Sequence, residues 1–158
     1  MKTIRLAVAT VSLSFFSVTV WAQNTATALT AYYSVKDALV ATDAAKAKTQ
    51  AATLTAALGK VDAAKLSAAD KKALATAKTY AAAISKTTDV DDQREQFEKL
   101  STSMISLAKA TKPGKAYVQY CPMAAEGKGA SWLSDKREVR NPYYGDKMLK
   151  CGSVKEEI

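Results

Sequence analysis

The chain of 158 residues contains no histidine. That removes the commonest general base, so neither cysteine can serve as a histidine-activated nucleophile. It also excludes haem attachment through Cys-x-x-Cys-His. Proline and glycine are scarce over the first two thirds: between Thr25 and Thr111 the only glycine is Gly59, and there is no proline. Beyond the N-terminus, no apolar run approaches the length of a membrane span. Ser106-Leu107-Ala108-Lys109 matches a Ser-x-x-Lys string, but its partner motifs are missing and the chain is too short for that fold. Asp89, Asp91 and Asp92 lack the glycine and glutamate that close a calcium loop, and read as a helix start.

What is present begins with an export signal. Lys2 and Arg5 precede an apolar stretch from Leu6 to Trp21, and Val20-Trp21-Ala22 suits a signal peptidase. Residues 1–22 are expected to be removed, leaving 23–158 as a single periplasmic domain with no stable membrane span. Its charge then stands at 21 basic against 15 acidic residues, a net +6. A basic balance can signal nucleic acid. The export signal and the spread of the lysines along helical segments argue against that, and the lysines read as solvated faces.

Residues 24–111 carry helical periodicity. One stripe runs Leu29, Tyr32, Tyr33, Leu39, Val40, and a second runs Ala47, Ala51, Leu54, Leu58, Val61. A third runs Leu66, Ala69, Ala73, Ala77, Tyr80, Ile84, and a fourth runs Val90, Phe97, Leu100, Met104, Leu107. Ser67 and the Asp89–Asp92 run mark helix starts, while Gly59 and Pro113-Gly114 mark stops. The expected fold is mainly α. It is an antiparallel four-helix bundle followed by an irregular tail, 112–158, that contains a small β-hairpin. In that tail, Ala116 to Cys121 suits a strand, Glu126-Gly127-Lys128-Gly129 a turn and Ala130 to Leu133 a returning strand. A short helical turn is expected from Gly145 to Leu149, carrying Met148 inward. Lys155-Glu156-Glu157 reads as a solvated end.

The tail also holds both cysteines and two of the four methionines, as Cys121-Pro122-Met123 and Met148-Leu149-Lys150-Cys151. Thiolate plus thioether without imidazole is a soft donor set, suited to copper(I). Cys121 and Met123 are two apart and would share one side of a strand. Met148 and Cys151 are three apart and would share one side of a helical turn. The competing reading is a disulfide between the two cysteines, as expected for a cysteine pair in an exported protein.

Three stretches of this tail closely resemble a bacterial periplasmic domain of uncharacterised function: Tyr117 to Ala124, Ala130 to Ser134 and Arg140 to Gly152. Members of that family occur alone or joined to the periplasmic adaptor subunits of copper and other heavy-metal efflux pumps. Tyr32 to Asp43 and Asp91 to Phe97 are similar to its first and fourth helices. The resemblance implies a heavy-metal setting and an efflux adaptor as partner. Some members carry helical histidines; this chain has none, so a metal role for those does not transfer.

The expected function is therefore non-catalytic: periplasmic binding of copper(I) or a similar soft ion at Cys121, Met123, Met148 and Cys151, in metal homeostasis or efflux. The alternative is a structural or interaction module whose disulfide-locked tail docks on an envelope or efflux partner.

Overall fold

In a computed structural model of the chain, residues 16–158 are described, with side chains from Asn24 onward. The expected signal peptide thus lies outside the described residues, apart from the helical backbone at its end. The described part is mainly helical. Four helices, α1 (Phe16–Val40), α2 (Ala44–Gly59), α3 (Ala68–Ile84) and α4 (Val90–Thr111), precede a small three-stranded antiparallel sheet.

The helix boundaries follow local chemistry. Ser67 Oγ accepts from the Asp70 N–H and donates to its carboxylate, so one serine caps α3. The Asp89 carboxylate accepts from the Asp91 and Asp92 N–H groups and starts α4. Asp43 caps α2 in the same way, through the Lys46 N–H. α2 ends at Gly59 as expected. α4 ends at Thr111, where Lys112 turns into the left-handed region (φ 44°) just before Pro113.

The packing bears out three of the four stripes in large part. Leu29, Tyr32 and Leu39 of α1 are buried, as are Ala47, Ala51, Leu54 and Leu58 of α2, and Phe97, Leu100, Met104 and Leu107 of α4. Each large apolar side chain so buried contributes about 1.5–3 kcal/mol. Val90 and Tyr33 are half-buried. The third stripe holds at Leu66, Ala77 and Ile84, which are buried, and needs a small rotation elsewhere. α3 buries Leu74, Ala77, Ala81 and Ile84, while Ala69 is exposed and Ala73 and Tyr80 are half-buried. Alanine has too little apolar area to fix the rotation of a helix, and burying Leu74 decides it. Tyr80 stays at the edge, its ring 5.8 Å from the Lys99 ammonium.

The sheet comprises β1 (Tyr117–Cys121), β2 (Ala130–Ser134) and β3 (Ser153–Glu157), in the order β2-β1-β3. β1 and β2 are antiparallel, with Cys121 opposite Ala130 and Gln119 opposite Trp132. At the turn between them Gly129 adopts φ 81°, and a Cβ there would run into the Tyr120 ring. β3 includes Lys155-Glu156-Glu157, read from the sequence as a solvated end. Instead its backbone pairs with the free side of β1, with an irregularity between Val118 and Gln119. Lys155, Glu156 and Glu157 keep their side chains in solvent. No large side chain of this edge strand is buried, so its sequence carries no apolar alternation to read. Glu156 pairs with Lys109 of α4 and Glu157 with Lys115.

Aromatic rings and one arginine join the tail to the helices. Phe97 stacks on Tyr32 at 5.2 Å and meets Tyr143 at 5.9 Å; Tyr143 meets the edge of Trp132 at 5.8 Å. The Tyr32 hydroxyl lies 2.6 Å from Ser101 Oγ and accepts from the Leu133 N–H. Arg94, buried on α4, donates to the carbonyls of Pro142 and Leu39 and to Thr42 Oγ1. Its guanidinium thereby closes the end of α1, where carbonyls are left without helical partners and a cation is favoured. Gly145 packs against the same group at φ 58°; a Cβ there would stand 2.8 Å from Arg94 Nη2.

Candidate functional site

Cys121 is the last residue of β1 and is wholly buried. Cys151 lies one glycine ahead of β3 and is partly exposed. β1 and β3 are neighbours, so the two cysteines meet at one end of the sheet. Their sulfurs are 2.6 Å apart, and both are free thiols. Gly152 permits this approach: at φ 139°, a Cβ there would sit 2.8 Å from the Tyr120 carbonyl oxygen.

Asn141 holds the Cys151 segment in place. It is wholly buried, and its side-chain amide donates to the Cys151 carbonyl at 2.9 Å. Its carboxamide oxygen accepts from the Tyr143 N–H, and its backbone N–H donates to the Leu149 carbonyl. The Cys151 N–H donates to the Met148 carbonyl at 3.0 Å. The neighbouring loop is fixed by Gln119, whose amide nitrogen faces the carbonyls of Lys136, Arg137 and Glu138.

The four predicted sulfur residues therefore fall in one neighbourhood, but their side chains are not equivalent. The strand ends at Cys121, so Met123 sits in the following turn rather than on a shared strand face, and it is 52% exposed. Its carbonyl accepts from the Tyr144 hydroxyl at 2.6 Å. The expected helical turn forms as a 3-10 turn, Gly145–Met148. It does not carry Met148 inward; that side chain is 36% exposed. These two are the exposed large hydrophobic residues among the described ones. Among the described residues no three His, Cys, Asp or Glu side chains are grouped to hold a metal.

The Cys151 thiol is pushed above its ordinary pKa, first by its hydrogen bond with Cys121, then by desolvation and by the charge of Cys121. The Met123 N–H, which faces the Cys151 sulfur, works against that rise. The sulfur spacing bears on what the pair can do. With metal–sulfur bonds of about 2.3 Å, two thiolates on one ion stand roughly 3.8–4.6 Å apart. The observed pair would have to open by more than about 1 Å to admit one. A disulfide requires only a further small approach, to about 2.05 Å.

Arg94 and Asn141 escaped the sequence reading. Arg94 did leave a signal. It lies three residues before Phe97, on the apolar face of α4, where a charged residue must find buried partners.

A small antiparallel sheet mounted on a helical bundle defines the architecture. The sequence profile of a family described as proteins of unknown function, DUF3347, matches residues 28–116, more than half of the chain. The chain belongs to that family. The match takes in α2, α3, α4 and about half of α1 and stops just before β1, so all four sulfur residues lie beyond it. No curated protein and no solved structure matches the chain.

Proposed function

We propose that this chain is a non-catalytic periplasmic interaction module whose C-terminal tail is locked by a disulfide between Cys121 and Cys151. The observation that carries this reading is the 2.6 Å separation of the two sulfurs. It is supported by Asn141, whose buried side chain fixes the Cys151 carbonyl. Short links between successive helices favour an antiparallel bundle as the scaffold, with β1 and β2 as a hairpin on it. The exposed Met123 and Met148 offer an apolar surface beside the lock, facing an envelope or efflux partner. The crosslink closes a loop of 30 residues, for which the chain-entropy model gives about 3.6 kcal/mol of stabilisation. Urea unfolding of the oxidised and reduced protein tests it. A difference of a few kcal/mol, abolished in Cys121→Ser or Cys151→Ser, is expected. Equal stabilities would end the reading.

A second reading is a copper(I) site on Cys121, Cys151, Met123 and Met148. It is favoured by the gathering of all four residues, with the Met123 N–H on the Cys151 sulfur and the Met148 carbonyl on the Cys151 N–H. It requires the thiols to part and the exposed thioethers to fold over the ion. Competition against a copper(I) chelator under reducing conditions decides it. An affinity no better than that of the Cys121→Ser/Cys151→Ser double variant would dismiss it.

A further inference from the structure

We infer that Cys151 is the sulfur through which this pair exchanges with external disulfides, and that Cys121 is the resolving thiol. The inference rests on the disulfide reading and adds the order of the chemistry. Exchange requires a third sulfur to reach the reacting one along an open path. Cys121 is wholly buried, at the end of the central strand and opposite the buried Ala130. Cys151 is partly exposed on the rim formed by the 3-10 turn, and Met123 and Met148, beside it, are exposed. The hydrogen bond to Cys121 and desolvation hold the Cys151 pKa up, and the Met123 N–H facing its sulfur offsets part of that rise, so the order of reaction is set by access.

The sequence of bond changes follows. Cys151 loses its proton and attacks one sulfur of an external disulfide. A mixed disulfide forms at Cys151, the external sulfur–sulfur bond breaks, and the leaving thiolate takes up a proton. Cys121, 2.6 Å away, is then deprotonated and attacks Cys151 Sγ. The Cys121–Cys151 bond forms, and the second half of the reagent leaves as a thiol. The two protein thiols lose two electrons, and one external disulfide is reduced to two thiols. In reverse, an external thiolate attacks Cys151 and expels Cys121.

Glutathione disulfide is a suitable probe. The reduced full chain is treated with it, both folded and in urea, quenched with acid and mapped by mass spectrometry. Folded Cys121→Ser is expected to accumulate a lasting glutathione adduct at Cys151. Folded Cys151→Ser should acquire its adduct at Cys121 at least about tenfold more slowly, and the difference should vanish in urea. Should either variant fail to fold, the wild type answers the same question with limiting iodoacetamide, where Cys151 should be alkylated first. Equal rates in the folded variants, or earlier labelling of Cys121, would overturn the assignment. The stability comparison of oxidised and reduced protein judges the disulfide reading separately, so a failure of the assignment is told apart from a failure of that reading.

Discussion

Replacing Tyr32 by phenylalanine removes one oxygen that joins three elements. Tyr32 belongs to α1 and is wholly buried. Its hydroxyl lies 2.6 Å from Ser101 Oγ on α4 and accepts from the Leu133 N–H of β2 at 3.2 Å. The ring stays in the variant, so its stacking on Phe97 at 5.2 Å persists and no large cavity opens. What changes is the polar account. Leu133 is wholly buried, and its N–H would lose its acceptor. An unsatisfied buried donor costs about 1–3 kcal/mol. Ser101 suffers less, because a helical serine can turn its hydroxyl to a carbonyl one turn back. Tyr32→Phe should therefore destabilise the protein by about 1–3 kcal/mol, mostly through β2. A double-mutant cycle with Ser101→Ala sharpens this. Both changes delete the same bond, so the double variant should lose less than the sum of the singles, with a coupling of about 1 kcal/mol. Urea unfolding followed by far-ultraviolet circular dichroism gives these values, provided the slopes match the wild type. Hydrogen exchange at the Leu133 amide should quicken in step. A Tyr32→Phe stability within about 0.5 kcal/mol of wild type, or strict additivity in the cycle, would refute the reasoning.

Phe97 is wholly buried between Tyr32 and Tyr143, so Phe97→Ala should cost about 3–5 kcal/mol in the same unfolding assay. A loss below about 1 kcal/mol would mean that the ring does not join the tail to the helices. Alkali offers an independent check. Desolvation raises the hydroxyl pKa values of Tyr32 and Tyr143 in the folded chain. Their contribution is therefore intact below the unfolded tyrosine value, about pH 10, and is lost as pH rises toward the folded values. For these two groups the slope should approach about 3 kcal/mol per pH unit above pH 10. Ultraviolet titration of the seven tyrosines should show late ionisation coinciding with unfolding, and smooth titration of all seven near their ordinary value would contradict it. Reduced protein should unfold at lower urea than oxidised protein, and addition of copper(I) should not restore the difference if the disulfide is the resident state.

Much of the helical part was legible because its signals are local. Ser67 and Asp89 mark boundaries through bonds within one turn, α2 ends at Gly59, and the stripes of α2 and α4 carry leucine or phenylalanine at helical spacing. The third stripe is right at Leu66, Ala77 and Ile84 and misses Leu74 and Ala81, because alanines weigh little and leave the rotation of α3 to one leucine, Leu74. The strands β1 and β2 show themselves through tyrosine, valine and tryptophan. β3 does not, since the edge strand Ser153-Val154-Lys155-Glu156-Glu157 buries no large apolar side chain in the sheet.

The sequence alone determined the set of sulfur donors, the absence of imidazole and the mainly helical character, all of which follow from composition and short-range spacing. Only the tertiary structure decided which donors face one another. Cys121 and Cys151 are 30 residues apart. They meet because β3 pairs with the free side of β1, a long-range backbone event that no local pattern announces. Met123 lies in the turn after β1 and Met148 ends the 3-10 turn, both exposed, so the spacing of two did not keep Met123 on the strand and the spacing of three did not carry Met148 inward. Arg94 belongs with these: its charge was plain in the chain, but its partners, the Leu39 and Pro142 carbonyls, come from segments brought together only by folding.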